Sequence, residues 1–273
     1  MATSDTAYGA GHGISGYLRE IYDYRNFWMS LAKLSLKKRF RRTHLGILWA
    51  MVQPLLFALT IALVFRYMFK QPFAELSIYV LSGVILWELF QQSVLLGSTA
   101  IIDAGNFIKQ KRLPLAIYPL QIFLAQVATF SIGLIGLVVW ILILRPGMAS
   151  WLWLMAIPNI ALILVCLLPV AIWASVFGTL YRDFQEAARV ILMALWFLSP
   201  VFIAKSIFAN PGIAVWDMVN PVSNMLQLLR APVMYDQMPS LLNYGVVALF
   251  GLLNYAIAIC ALRRHERTLV YYL

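Results

Sequence analysis

Charged residues are scarce in this sequence: they make up 12% of it, against roughly a quarter in a typical soluble domain. Only eleven are acidic, and they lie dispersed, so no carboxylate cluster stands where acid–base chemistry would need one. The three histidines, His12, His44 and His265, are scattered and form no ligand pair. The two cysteines, Cys166 and Cys260, lack metal or redox spacing; inside apolar runs they read as small packing residues. No G-x-x-x-x-G-K-S/T phosphate loop occurs, and the nearest Lys-Ser pair, Lys205-Ser206, follows Ala204. Neither nucleotide hydrolysis nor a metal or cofactor site is expected of this chain. Residues 1–16 are small and polar and hold no apolar core of a signal peptide.

Apolar residues are what the chain has in excess. Of 273 residues 62% are hydrophobic, and a soluble chain so composed would expose aggregating patches. In lipid, backbone polar groups must be satisfied internally, which leaves helices or closed barrels. Barrel strands would alternate over about ten residues. The apolar runs here are about twenty residues long without alternation, so an all-α integral membrane protein is expected. Six spans are predicted, at about 45–68, 76–98, 116–143, 151–178, 188–204 and 242–262. The stretch 205–240, with Pro211, Gly212, Pro221, Pro232 and Pro239, is less regular. The expected regions are a flexible tail (1–16), an interface helix with its basic cluster (17–44), the membrane domain (45–262) and a C-terminal tail (263–273).

Cations set the orientation. With the N-terminus in the cytoplasm, the inner loops hold Lys37, Lys38, Arg39, Arg41, Arg42, Lys109, Lys111, Arg112, Arg182 and the terminal arginines. The other face keeps Arg66, Lys70, Arg145, Lys205 and Arg230, the asymmetry of the positive-inside rule. The net charge of +10 is thereby accounted for beside membrane spans, and nucleic acid is not the expected partner. Before the first span, Phe27, Trp28, Leu31 and Leu34 share one helical face while Arg25, Lys33, Lys37 and Lys38 supply charge. That pattern predicts an amphipathic helix among lipid headgroups.

Polar residues inside spans are costly and point to protein or water. Glu88, with Gln91 and Gln92 a turn on, sits mid-span; a proton relay, a hydrophilic path, or a pair with Arg66 or a neighbouring helix would each explain it. Gln53, Gln121 and Gln126 suit a path or a bridge between helices. Trp87, Phe90, Trp140, Trp173 and Trp196 also fall deep within spans, where packing or the stacking of sugar rings would use them.

Several segments together resemble a known family. Arg39 to Trp49 (RFRRTHLGILW), followed by Gln53-Pro54-Leu55, resembles the opening signature of ABC-2 type polysaccharide-export permeases. Lys111-Arg112-Leu113-Pro114 with Tyr118-Pro119, Tyr181-Arg182-Asp183-Phe184 with Ser199-Pro200-Val201, and Asn220-Pro221-Val222 with Leu229-Arg230 are similar to its later segments, in order. The resemblance implies a homodimer in the bacterial inner membrane paired with two copies of a separate ABC ATPase, which holds ATP and Mg. It implies export of undecaprenyl-linked polysaccharide, such as O-antigen or capsule, and short re-entrant helices over 205–240 on the periplasmic side.

By that resemblance Asp103, Asn106, Phe107, Lys109, Lys111 and Arg112 would dock on the ATPase. Arg182 and Asp183 are a lesser contact, or pair with each other or cap the fifth span. Lys37, Lys38, Arg39, Arg41 and Arg42 would attract the lipid pyrophosphate, a role that anchoring to membrane lipids explains equally well. Gln53, Trp87, Glu88, Gln91 and Trp196 would line the path. A drug or small-lipid ABC-2 exporter is the main rival; a secondary transporter, which would show paired intramembrane charges or inverted repeats, is less favoured.

Overall fold

A computed structural model describes residues 14–41, 43–110, 113–203 and 211–272. Eleven α-helices and no strand occur among the described residues: α1 (Ile14–Asp23), α2 (Arg25–Phe40), α3 (Trp49–Phe69), α4 (Phe73–Asp103), α5 (Gly105–Gln110), α6 (Ile117–Leu144), α7 (Trp153–Leu180), α8 (Phe184–Phe197), α9 (Pro211–Val219), α10 (Pro221–Met234) and α11 (Leu241–Leu269). Five of the stretches are long and apolar enough to cross a bilayer: Gly46–Met68, Phe73–Gln110, Ile117–Leu144, Trp153–Leu180 and Leu241–Glu266.

The span predicted over 188–204 has a different form. Its helix, α8, has 14 residues, or about 21 Å, short of the roughly 30 Å hydrocarbon layer. It gives way at Leu198 to the turns around Ser199-Pro200. The direction of the neighbouring helices shows why a return path is still needed there. Asn159 meets Tyr244, Cys166 lies beside Gly251, and Trp173 meets Asn254, so α7 and α11 run the same way. The chain must come back between them, and α8 with the turn after it does so.

The second span is also longer than predicted over 76–98. Helix α4 runs from Phe73 to Asp103, and α5 follows after Ala104, so most of the polar stretch 98–114 is helical. Nothing in Ser98-Thr99-Ala100-Ile101-Ile102 breaks a helix once it leaves the lipid. α4 is the central post of the bundle, buried along most of its length between α3, α6, α7, α8 and α10. Small residues let the neighbours close in: a Cβ on Gly178 of α7 would sit 2.2 Å from the Ser98 carbonyl oxygen. Its serines satisfy themselves in the dry interior, Ser93 donating to the Leu89 carbonyl and Ser98 to that of Leu95.

The two ends of the chain meet. The Tyr17 hydroxyl of α1 donates to Glu266 Oε1 of α11 at 2.9 Å, and the Leu115 N–H donates to the same oxygen at 3.2 Å. The Ala116 N–H donates to Tyr17 at 3.3 Å, closing the knot. Burial first, and the Glu266 carboxylate second, hold the Tyr17 phenol protonated well above its usual range. This end carries most of the cations and is called the basic end below. Among the described residues α1 already includes Ile14, ahead of the interface helix predicted from 17; residues 1–13 of the expected tail lie outside them.

The proline-rich stretch 205–240 is expected as short re-entrant helices, and α9 and α10 are short, of 9 and 14 residues. The Asn220 side chain caps α10, accepting from the Val222 and Ser223 N–H groups, with Pro221 opening the helix. Nearly all of Val222 to Val233 is buried, so α10 is sunk into the bundle beside α4, α7 and α11.

Candidate functional site

Near the basic end, α2, α4 and α6 enclose an open groove of ≈ 510 Å³. Its lining, part polar and part apolar, comes from one face of each helix. Helix α6 supplies Ile122, Ala125, Gln126 and Thr129, spaced i, i+3, i+4, i+7. Helix α2 runs alongside in the same direction: the Ser35 hydroxyl donates to Gln121 Oε1 at 3.0 Å, and Arg39 Nη1 to Gln126 Oε1 at 3.1 Å. Arg39 Nη2 meets Glu88 Oε1 of α4 at 3.2 Å, and Lys38 and Gln92 complete the walls. The two charged side chains are 33% and 26% exposed, which limits the pair to about 1 kcal/mol. A crevice of ≈ 10 Å³, room for about one water, continues past Glu88 and Gln126 to Pro54 and Gly133.

Glu88 and Arg39 were read from the sequence as parts of two different features. The structure joins them, and Glu88 pairs with Arg39 rather than Arg66, which lies over Tyr67 at 4.4 Å. Lys37 and Arg41 are exposed beside the groove. Arg42 lies outside the described residues.

The other path candidates sit elsewhere. Trp87 packs edge-on against Trp196 with ring centroids 5.3 Å apart, and Trp196 stacks on Phe202 at 5.8 Å and touches Phe57 at 6.2 Å. Trp87 is buried and its indole N–H donates to Gln91 Oε1 at 2.9 Å, while Trp196 is half-buried. Gln53 is exposed on α3.

At the tip of α4, α5 forms an exposed elbow bearing Asp103, Asn106, Phe107 and Lys109, with Ile108 tucked inward. Phe107 is 47% exposed. Lys111 and Arg112 lie outside the described residues. Arg182 and Asp183 are exposed before α8; Asp183 holds the N-cap position without a side-chain cap bond, and no Arg182–Asp183 ion pair occurs among the described residues.

Sequence patterning puts Arg230 on the less basic face and in the family-like Leu229-Arg230 segment, without showing its structural weight. Arg230 is fully buried in α10. Its guanidinium donates to Ser82 Oγ (3.0 Å) and to the carbonyls of Pro200 (2.7 Å), Tyr79 and Val201 (both 2.8 Å). It also lies 3.6 Å from the Tyr79 ring centroid. The Tyr79 hydroxyl donates to the Pro200 and Ile203 carbonyls at 3.0 Å. Arg230 and Tyr79 thus satisfy the backbone where α8 gives way, the condition for irregular chain at membrane depth. Gly83 makes room, since a Cβ there would sit 2.1 Å from the Val201 oxygen and 2.5 Å from Arg230 Nη2. A lone cation amid Gln227-Leu228-Leu229 and Ala231-Pro232-Val233 was the available signal.

Long apolar helices around a buried post, with a polar groove at one end, define a multi-pass helical membrane protein. Residues 26–234 match the model of the ABC-2 type transporter family, and the chain belongs to that family. It is similar to the O-antigen export system permease protein RfbA of Myxococcus xanthus, 26% identical over 78% of this chain and 82% of the relative. A protein of the same designation from Klebsiella pneumoniae is 22% identical over 83% and 86%. The polysialic acid transport protein KpsM of Escherichia coli is 22% identical over 86% and 92%.

Proposed function

We propose that this chain is the transmembrane subunit of an ATP-driven exporter that carries lipid-linked polysaccharide, of O-antigen or capsule type, out of the cytoplasm. The observation that carries this reading is shared by the three relatives: two are named for O-antigen export and one for polysialic acid transport, and each matches over more than four fifths of its length. The basic end faces the cytoplasm of a bacterial inner membrane, in keeping with the positive-inside rule. Two copies of the chain form the pathway, and two copies of a separate ATPase supply ATP and Mg.

The parts then divide the work. Lys38 and Arg39, flanked by Lys37, Arg41 and Arg42, attract the undecaprenyl pyrophosphate headgroup into the groove, where Gln92, Gln126 and Thr129 offer hydrogen bonds. Half-buried Trp196, backed by Trp87 and Gln91, gives the sugar an aromatic face to slide on, with Gln53 further along. The α5 elbow, with Lys111 and Arg112 after it, receives the ATPase, and Arg182 with Asp183 makes a second contact.

Phe107→Asp tests the division. In cells lacking the native permease, the variant should reach the membrane at wild-type level, lose the copurifying ATPase and leave surface polysaccharide undetectable. Wild-type polysaccharide with the ATPase still bound would overturn the docking assignment. A permease deletion that altered drug tolerance but not surface glycan would overturn the cargo.

A further inference from the structure

Glu88 is an odd neighbour for a groove that collects anions. It sits at the middle of α4, where a carboxylate is expensive, and amides already make that wall polar. Among the described residues its charged partner is Arg39, through a single hydrogen bond to Oε1 at 3.2 Å. Arg39 in turn is exposed, as Lys37, Lys38 and Arg41 are, but its guanidinium is held between Glu88 and Gln126. An anion entering the groove can engage Arg39 fully only by taking it from Glu88, and it must then sit beside that negative charge.

We infer that Glu88 is a release residue: an internal competitor for Arg39 that keeps binding of a lipid pyrophosphate weak enough for the headgroup to leave. The inference rests on the reading of the groove as the headgroup site. Passage through any pathway requires binding favourable enough to enter and weak enough to exit. Two cations with no competing carboxylate would hold a polyanion with multiple charge-assisted bonds and release it slowly. With Glu88 present the ion pair re-forms as the headgroup departs, so the cost of releasing Arg39 is returned at that moment. The pair is worth about five-fold in affinity, as expected for partly exposed partners.

The test uses the full chain with its copurified ATPase in lipid nanodiscs, and farnesyl pyrophosphate as the probe. Glu88→Gln keeps the shape and an acceptor but removes the charge; Glu88→Asp keeps the charge but shortens the reach. For E88Q, farnesyl pyrophosphate should bind about two- to five-fold tighter, with half-maximal ATPase stimulation at lower concentration and a lower maximal rate. E88D should stay near wild type. If Glu88 merely positions Arg39, E88Q would stay near wild type and E88D would bind more weakly, which overturns the inference. R39Q should lose probe binding while its unfolding midpoint falls by no more than about 2 °C. Undiminished binding to R39Q overturns the groove as headgroup site, whereas loss in R39Q without tightening in E88Q overturns only the role of Glu88. Inorganic pyrophosphate separates the sources: if it binds as tightly as the farnesyl compound, the ligand is a soluble anion and the lipid assignment falls.

Discussion

Replacing Arg230 by Met removes four hydrogen bonds and a ring contact from the point where three segments meet. The Val201 carbonyl loses its Arg230 donor, while Pro200 keeps the Tyr79 hydroxyl. A bare buried carbonyl costs about 1–3 kcal/mol, and a desolvated cation–π contact is worth about 2 kcal/mol. Relief of the guanidinium's own desolvation offsets part of this. A net loss of about 2–4 kcal/mol is expected, which lowers the unfolding midpoint by roughly 3–7 °C in a chain of this size. Cys166 is buried and Cys260 exposed, so with Cys260 replaced by Ala the reaction of Cys166 with a thiol dye on heating in detergent reports core opening. Gly83→Ala should cost a similar amount, because its Cβ collides with the Val201 oxygen and with Arg230. The double variant should lose clearly less than the two losses added together, since both break one contact. An R230M midpoint equal to wild type, or full additivity with G83A, would refute this account of the break after α8.

Two further outcomes follow from the packing. A phenol with a raised pKa in the fold stabilises it fully below the ordinary value of 10.0 and loses that contribution as pH rises above it. Wild-type midpoints should therefore fall more steeply than those of Tyr17→Phe above pH 10, and parallel curves would show that Tyr17 does not hold α1 against α11. Gly178→Ala should cost about 1–3 kcal/mol, lowering the midpoint by roughly 2–5 °C, by prising α7 from Ser98, whereas Gly147→Ala, with open space around it, should not; equal midpoints for both would remove close approach as the reason for Gly178.

The long helices were legible because lipid imposes one rule on every residue of a span, and a window of twenty residues averages out exceptions. Runs such as Ile117–Leu144 and Trp153–Leu180 could hardly be anything else. The limits were set by non-local partners. The apolar character of 188–204 is real, but whether a helix continues through Ser199-Pro200 depends on donors thirty residues further on, at Arg230. Likewise the spacing of Glu88 gives its face on α4 without saying that the end of α2 lies against it, 49 residues earlier in the chain. Asp103, Asn106 and Lys109 lie exposed on the elbow because polar residues following a span face water whichever helix carries them.

The burial of α4 has a mechanical side. At one end it leads within two residues into α5; toward the other it is clamped by Arg230 at Tyr79 and Ser82 and fitted against Val201 at Gly83. A rod gripped so tightly transmits thrust with little give: turning it in place would sever several short bonds together, while sliding it carries α10 and the 198–203 turn along. Displacement delivered at Gly105–Gln110 therefore arrives some 30 Å away (1.5 Å per residue from Asp103 to Gly83) nearly undiminished.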